Sequence, residues 1–231
     1  MPAKNWGHDL QAMSEAIEDD TRLIFIANPN NPTGTCVGLA EIKTFMGGIP
    51  ENVLVVVDEA YFEYVDAPGY ETVLGLINEH PNLLVTRTFS KAYGLASLRI
   101  GYSVSHSSIA EILNRVRQPF NVNSLALAAA TAILDDHEYL QKSIEINRNG
   151  YQQLIAGINE LSLKFIPSVG NFIAIETPGN VHSLHKRLLK KGVITRTIDV
   201  YEMPDHLRVS IGTHEENERF LGSLKDFLDS K

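Results

Sequence analysis

Apolar runs separated by turn-forming residues recur along the first half of the chain and predict alternating strands and helices. Residues 23–27, 53–57 and 83–89 form runs of strand length. The first is predicted to be a buried strand, and the second to be covered on both faces because its apolar residues do not alternate with polar ones. Helical spacing of apolar positions over residues 39–46 and near residues 73–77 separates these runs. This order predicts parallel pairing through right-handed crossovers.

Capping and turn residues define the ends of these elements. Asp9 is placed to cap a short helix over residues 10–17, and Pro29, Pro32 and Gly34 exclude regular structure from the loop that follows the first strand. One more strand is predicted over residues 98–104, with Gly101 inside it, but the pattern does not give its direction.

The pattern changes to helical spacing from Asn123, with an interruption near Asp135 and Asp136. Beyond this stretch, strands are predicted over residues 163–166, 171–175, 193–195 and 207–211, and helices over residues 181–191 and 215–228. The sequence therefore predicts a large α/β domain over residues 1–122, connecting helices over residues 123–160, and a smaller C-terminal α+β domain over residues 161–231.

Composition narrows the classes of function. The 231 residues carry a formal net charge of −8, which argues against nucleic acid as a partner because phosphate binding needs clustered Lys and Arg. The single cysteine, Cys36, cannot form an internal disulfide and suits a reducing compartment. No apolar run has the length of a signal peptide core or a membrane span. We expect a soluble cytoplasmic protein without a membrane partner.

Residues capable of chemistry follow the three apolar strands. Asn31 follows the first, Asp58 the second, and Ser90 with Lys91 the third. Because ligands of open α/β sheets collect beyond the carboxyl ends of parallel strands, these groups are expected around one pocket. In a poorly hydrated crevice, Asp58 would keep a heterocyclic nitrogen protonated, and the amine of Lys91 would form a Schiff base.

The neighbouring polar groups complete a binding site for one cofactor. Tyr61 and Asn31 are placed to contact a ring hydroxyl, and the hydroxyls of Thr88 and Ser90 with Arg99 supply a charge-assisted set for a phosphate. A protonated pyridine ring is an electron sink. Together these groups describe a site for pyridoxal 5′-phosphate.

The segments NPNNPTGT, VVVDEAYFEY and TFSKAYGLASLRIGY resemble, in order and spacing, the three signature segments of fold-type I aminotransferases. The resemblance implies that Lys91 carries the cofactor as a Schiff base and that Asp58 pairs with the pyridine nitrogen. It also implies ring-oxygen contacts from Asn31 and Tyr61. The residues it assigns to the cofactor phosphate are Thr88, Ser90 and Arg99.

Other segments resemble histidinol-phosphate aminotransferases, namely NRVRQPFNVNSLALAAA, ANPNNPTGT and LRVSIGTHEENERF. These enzymes of histidine biosynthesis exchange an amino group between histidinol phosphate or imidazole-acetol phosphate and glutamate or 2-oxoglutarate. The resemblance implies a homodimer and substrate contacts from Asn31, from Arg208 to the substrate anion, and from Arg196 to the substrate phosphate. Bidentate guanidinium binding suits both a carboxylate and a phosphate.

The resemblance begins late in the family pattern. A preceding third of the family sequence supplies a phosphate-binding loop, an aromatic ring that stacks on the cofactor and a tyrosine that reaches across the dimer. We therefore expect a partial large domain whose sheet has two open edges. We also expect weaker cofactor binding and slower turnover than in a full-length relative.

Some of these segments also fit other classes of function. VVVDEA alone would equally suit the magnesium-binding strand of a P-loop nucleotidase, but the sequence has no glycine-rich GKS or GKT loop. It also has no G-x-G-x-x-G motif for a dinucleotide. His182 and His185 have chelating spacing without a third ligand nearby, so no metal is predicted. Two alternatives stay open: another fold-type I enzyme, such as an aromatic aminotransferase or a phosphothreonine decarboxylase, or a non-catalytic remnant.

Overall fold

The computed structural model describes residues 4–230, which divide into two compact units. The N-terminal unit contains residues up to Asn30 and Cys36–Gln141, and the C-terminal unit contains Asn31–Thr35 and the residues from Lys142 onward. The domain boundaries at residues 122 and 160 remain a prediction.

The N-terminal unit contains a four-stranded sheet with helices. Its elements are α1 (Leu10–Glu15), β1 (Leu23–Ala27), α2 (Leu39–Gly47), β2 (Leu54–Asp58), β3 (Leu83–Thr88), β4 (Gly101–Ser105), α3 (Ser107–Val116) and α4 (Ser124–Leu134). The strand order is β1-β2-β3-β4, with the first three parallel and β4 antiparallel to β3. The mostly parallel sheet is thus confirmed, and β1 and β4 form its two edges.

The main core of this unit lies on one face of the sheet, although Val56 and Leu84 are also buried on the other face. α1, α2 and a single 3-10 turn, Val73–Leu76, pack on the face of the main core against alternate residues of the first three strands. The buried strand residues are Ile24, Ile26, Val55, Val57, Leu83 and Val85. The helix predicted near residues 73–77 is only this short turn, which is consistent with the low helix propensity of Gly75 inside it.

The prediction that β1 is a buried strand is wrong for its second face. Leu23 and Phe25 are 52% and 67% exposed, and they alternate with the buried Ile24 and Ile26. Successive side chains of a strand lie on opposite faces, and the packed helices cover only one of them. β1 therefore presents apolar surface on its open face.

The C-terminal unit contains an antiparallel sheet of order β5-β6-β8-β7. Its elements are β5 (Phe165–Ile166), β6 (Phe172–Glu176), α6 (Val181–Lys190), β7 (Arg196–Ile198), β8 (Met203–Ser210) and α7 (His214–Leu228). The long helix α5 (His137–Glu160) begins in the N-terminal unit and contributes Leu154 and Ile158 to the core of this one. The predicted α+β character of this region is confirmed.

Several elements differ from the sequence-based expectation; for example, the strand predicted over residues 98–104 begins at Gly101, and the one predicted over residues 163–166 is only Phe165–Ile166. The strand predicted over residues 193–195 begins instead at Arg196, because Gly192, with φ of +74°, ends α6 and residues 193–195 form the connection. Helix α3 was not predicted, although Ile109, Ile112 and Val116 have helical spacing.

Among residues 4–230, no helix is both long and apolar enough to cross a membrane.

Candidate functional site

The carboxyl ends of β2 and β3 bring the predicted catalytic groups of the N-terminal unit to one edge of the sheet. Asp58 is the last residue of β2 and lies opposite Thr86 of β3 in parallel register. Its Oδ1 accepts hydrogen bonds from Thr86 Oγ1 and from the Ala60 backbone nitrogen, both at 3.1 Å. Lys91 lies three residues after the end of β3. The carboxylate and the amine are therefore carried by the ends of neighbouring strands.

Lys91 and Tyr61 contact each other within this edge. The Nζ atom of Lys91 lies 5.2 Å from the centroid of the Tyr61 ring, within the range of a cation–π interaction. Tyr61 is buried, and Lys91 is partly buried. The amine is therefore oriented over an aromatic surface.

The residues predicted to bind a phosphate are linked by hydrogen bonds. The Ser90 backbone nitrogen donates to Thr88 Oγ1 at 3.0 Å, and Arg99 Nη1 donates to Ser90 Oγ at 3.2 Å. Arg99 has a left-handed backbone conformation with φ of +52°, which costs a non-glycine residue on the order of 1 kcal/mol. Strain of this kind often accompanies functional sites, and here it accompanies an exposed guanidinium next to two hydroxyls.

The expectation that Asp58 lies in a poorly hydrated crevice is wrong for the part of the chain that the structure describes. Its side chain is exposed, whereas Val57, one residue earlier, is fully buried. Because side chains alternate along β2, Asp58 lies on the face opposite to α1 and α2; Val56 is buried on that face, whereas Asp58, at the end of the strand, is exposed.

The C-terminal unit brings together the other predicted residues. Arg208 on β8 donates a hydrogen bond from Nη1 to Asn31 Oδ1, and its Cζ lies 5.0 Å from the Phe172 ring centroid. Arg196 on β7 lies directly opposite Arg208 in the antiparallel register, so both side chains are on the same face of the sheet. The role of Asn31 at a cofactor ring oxygen remains a prediction.

The arrangement of the two arginines favours an anionic ligand. Like charges that lie directly opposite each other on antiparallel strands destabilise the pair. Arg196 is exposed and Arg208 is partly buried, so the guanidinium of Arg196 is accessible from solvent. A carboxylate or a phosphate bound between them would relieve the repulsion through charge-assisted hydrogen bonds.

The comparison with protein families agrees with this chemistry. The family model described as aminotransferase class I and II matches residues 1–224. The chain belongs to the class I and II aminotransferase family. Within it, the chain is similar to curated relatives named histidinol-phosphate aminotransferase. It is 55% identical to histidinol-phosphate aminotransferase 2 of Pseudomonas fluorescens strain Pf-5, over 99% of this chain and 62% of the relative.

A second relative and a solved structure extend the comparison. Histidinol-phosphate aminotransferase 1 of Idiomarina loihiensis is 53% identical over 97% of this chain and 61% of the relative. The crystal structure of histidinol-phosphate aminotransferase from Sinorhizobium meliloti with pyridoxal-5′-phosphate has a TM-score of 0.93 at 29% identity, covering 100% of this chain and 64% of that one. The chain thus spans about 61% of the length of the curated relatives it matches.

In this aminotransferase chain, the loop that carries Asn31 is closed by a residue that the sequence analysis missed. Asn28 is buried, its Nδ2 donates to the Val37 carbonyl at 3.0 Å, and its Oδ1 accepts from the Val37 nitrogen at 2.9 Å. The Tyr70 hydroxyl donates to the Asn28 carbonyl at 2.9 Å. Burial, with a smaller contribution from nearby Glu59, raises the pKa of Tyr70, which keeps this donor protonated.

A second missed feature is a buried ion pair next to Asp58. Arg87 Nη2 lies 2.7 Å from Glu59 Oε2, and 12% and 1% of the two side chains are exposed. Burial acts to lower the pKa of Arg87, but the hydrogen-bonded Glu59 carboxylate outweighs it and the pKa is raised. Glu59 directly follows Asp58 and Arg87 directly precedes Thr88, but no sequence pattern indicated that the two residues pair with each other.

Glu63 lies near this pair in a less favourable setting. Burial raises its pKa above the ordinary value of 4.5 and Glu59 adds to the shift, while a backbone hydrogen bond and Arg87 oppose it. Its Oε2 atom is buried without a hydrogen-bond partner among the described residues. Ionised Glu63 therefore destabilises the folded chain.

The histidines with chelating spacing are used differently in the structure. His182 and His185 lie on α6, and His185 Nδ1 is 3.1 Å from Thr195 Oγ1. Within residues 4–230, no three His, Cys, Asp or Glu side chains lie together in a metal-binding group.

The conformation of Gly34 provides a test of the Asn31 loop. Its φ is +76°, and a Cβ at this position would lie 1.9 Å from Ser168 Oγ. We expect Gly34→Ala to lower the free energy of unfolding by about 1–3 kcal/mol, measured by urea denaturation. Gly222→Ala is the control, because no described atom lies within 4 Å of a Cβ there and alanine favours helix α7 by about 1 kcal/mol. Equal effects of the two substitutions would contradict the role of Gly34.

Glu63→Gln should raise the Tm at neutral pH, on the order of 2–4 °C for a chain of this size. Because the folded-state pKa is raised, the folded chain loses stability as the pH rises above the unfolded value of 4.5, and the glutamine variant does not. The difference in Tm should vanish below that pH in calorimetry. Glu145→Gln, at an exposed position of α5, should show no such pH dependence. A pH-independent difference for Glu63→Gln would disprove the assignment.

Proposed function

We propose that this chain binds pyridoxal 5′-phosphate and transfers an amino group between histidinol phosphate or imidazole-acetol phosphate and glutamate or 2-oxoglutarate, a step of histidine biosynthesis. The observation that carries the proposal is the cluster of amine, carboxylate and phosphate-binding side chains at the ends of β2 and β3. The names of relatives at 53% and 55% identity support the choice of substrates.

The donor set fits each part of this cofactor. Thr88, Ser90 and Arg99 form a hydrogen-bonded set with hydroxyl and guanidinium donors suited to a phosphate. Asp58 supplies the carboxylate that a pyridinium nitrogen requires, and Tyr61 supplies a phenol for the ring oxygen. Asn31 is assigned to the same ring oxygen.

When bound, pyridoxal 5′-phosphate supplies an electron sink for the charge that develops at the substrate carbon. Asp58 keeps the proton on the ring nitrogen, and Thr86 Oγ1 orients the carboxylate by its hydrogen bond at 3.1 Å. Lys91 would hold the cofactor through its ε-nitrogen. As a free amine it would carry the proton between the substrate carbon and the cofactor carbon, which is general acid–base catalysis.

We assign selection of the substrate to the two arginines of the C-terminal unit. Arg208, oriented by Asn31 and Phe172, binds the anionic group that each substrate presents, either a carboxylate or a phosphate. Arg196, opposite it, adds a second guanidinium for the more highly charged phosphate. In this assignment a phosphate is bound by both arginines, whereas a carboxylate is bound by Arg208 alone.

We also propose that the protein acts as a cytoplasmic homodimer. The single Cys36 suits a reducing compartment. Exposed apolar side chains on β1 and α3, including Phe25 and Val116, offer surface that a second copy would cover. Light scattering of the purified chain measures its oligomeric state.

The first test is covalent attachment of the cofactor. Saturating the chain with pyridoxal 5′-phosphate, followed by borohydride reduction and peptide mass mapping, should give an adduct on Lys91. Lys91→Ala should abolish both the adduct and turnover, because the variant has no amine there. Lys142→Ala, an exposed lysine of α5, should retain both. An unmodified Lys91 under saturation would refute the proposal. In a separate assay, histidinol phosphate, phosphothreonine and aromatic amino acids are compared side by side to identify the amino donor.

The second test separates the arginines. Arg196→Ala should raise the KM for histidinol phosphate by about 10–100-fold and leave the KM for glutamate near the parent value, because a charge-assisted hydrogen bond contributes about 1.5–3 kcal/mol. Arg208→Ala should raise both KM values. Arg148→Ala, at an exposed position of α5, is the control. Equal effects of Arg196→Ala on the two substrates would contradict a phosphate-specific role.

A further inference from the structure

The buried Glu59–Arg87 pair has a fixed geometry. Besides the contact through Nη2, Arg87 Nε donates to Glu59 Oε2 at 3.0 Å, so both guanidinium donors converge on one oxygen. The guanidinium also stacks on Phe62, with Cζ 3.9 Å from the ring centroid. Hydrogen bonds and stacking together leave Arg87 one orientation.

Glu59 connects three segments of the N-terminal unit. Its Oε1 accepts from the Val73 backbone nitrogen at 2.8 Å, and its Oε2 accepts from Thr72 Oγ1 at 2.8 Å. Thr72 Oγ1 in turn accepts from Arg87 Nη2 at 2.8 Å. The end of β2, the turn that begins at Val73 and strand β3 are therefore joined through one carboxylate with both oxygens satisfied.

This network lies beneath the groups assigned to the cofactor. Glu59 directly follows Asp58, and its backbone nitrogen donates to the Thr86 carbonyl at 2.9 Å, which extends the ladder past the end of β2. Arg87 stands between Thr86 and Thr88, so its side chain lies on the opposite face of β3 from theirs. The backbone that presents Asp58 and Thr88 on one face is anchored by the ion pair on the other.

The stability of the fold alone does not explain an ion pair at this position. Replacing a buried ion pair with apolar residues of similar volume is often neutral or stabilising, because desolvation offsets much of the charge attraction. The pair instead fixes the relative position of the ends of β2 and β3, because its hydrogen bonds can form in only one register of the two strands.

We propose that Glu59 and Arg87, with Thr72, are positioning residues that fix Asp58 and the turn at residues 88–90 relative to each other, so that affinity for pyridoxal 5′-phosphate depends on them. The identity of the ligand rests on the proposed function. The network acts through the backbone, and none of its three residues is assigned to contact the cofactor. Its removal would therefore loosen the backbone of the site without removing any group assigned to binding.

The test compares a single variant, a double variant and a matched control. Glu59→Gln removes the charge and retains the shape, and Glu59→Gln with Arg87→Met replaces the pair by uncharged groups. The control removes the exposed pair of the same unit, Lys43→Ala with Glu79→Ala, whose atoms are 3.1 Å apart. For each variant, we would measure the Tm of the cofactor-free chain and the Kd for pyridoxal 5′-phosphate. Hydrogen exchange of the Glu59 and Ser90 backbone amides would be measured at the same number of degrees below the Tm of each variant.

We expect exchange of both amides to rise and the Kd to increase by about 10-fold or more in the single and double variants, even where the double variant regains the parent Tm. The control should change neither quantity. Unchanged amide exchange, or a Kd in the double variant within about twofold of the parent once the Tm has recovered, would overturn the proposal. If the parent chain binds no cofactor, the proposed function fails, and amide exchange in the cofactor-free chain still decides the positioning role.

Discussion

The parallel pairing of β2 with β3, in which Asp58 lies opposite Thr86, determines where the chemical groups of the N-terminal unit lie. Parallel strands end at the same edge of a sheet, so the carboxylate at the end of β2 and the amine shortly after β3 both belong to that edge. The hydrogen bond from Thr86 to Asp58 exists because of this register. A slip of one residue would move Asp58 to the core face.

The same alternation explains how the strand ends carry polar residues on both faces. Asp58, Thr86 and Thr88 occupy the open face, whereas Arg87 lies on the face that also carries the core. A charged residue on a core face needs a partner, and Glu59 supplies it with both oxygens satisfied. The strand sequences therefore combine one set of groups for chemistry with a second set that determines where the first set lies.

Local patterns predicted most of the fold and the edge where the candidate site lies. The bounds of β1 and the cap at Asp9 follow from residues that act on their immediate neighbours. The direction of β4 could not be predicted, because a strand alternates identically in either direction. Asn28 and the Glu59–Arg87 pair were missed because their partners are defined by the tertiary structure. The exposure of Asp58 was missed for the same reason, since burial depends on which helices cover a face.

The exposure of Asp58 bears directly on the chemistry assigned to it. Two unit charges 4 Å apart attract by about 1 kcal/mol in bulk water and by about 4 kcal/mol at the effective dielectric constant of about 20 that is typical near a protein surface. In the proposed role, the carboxylate would therefore keep a pyridine nitrogen protonated much more effectively once water is displaced from the exposed end of β2. A bound aromatic ring would displace part of that water from the side chains that it contacts. In the proposed role, the electron-sink chemistry would thus depend on the hydration of the sheet edge at Asp58.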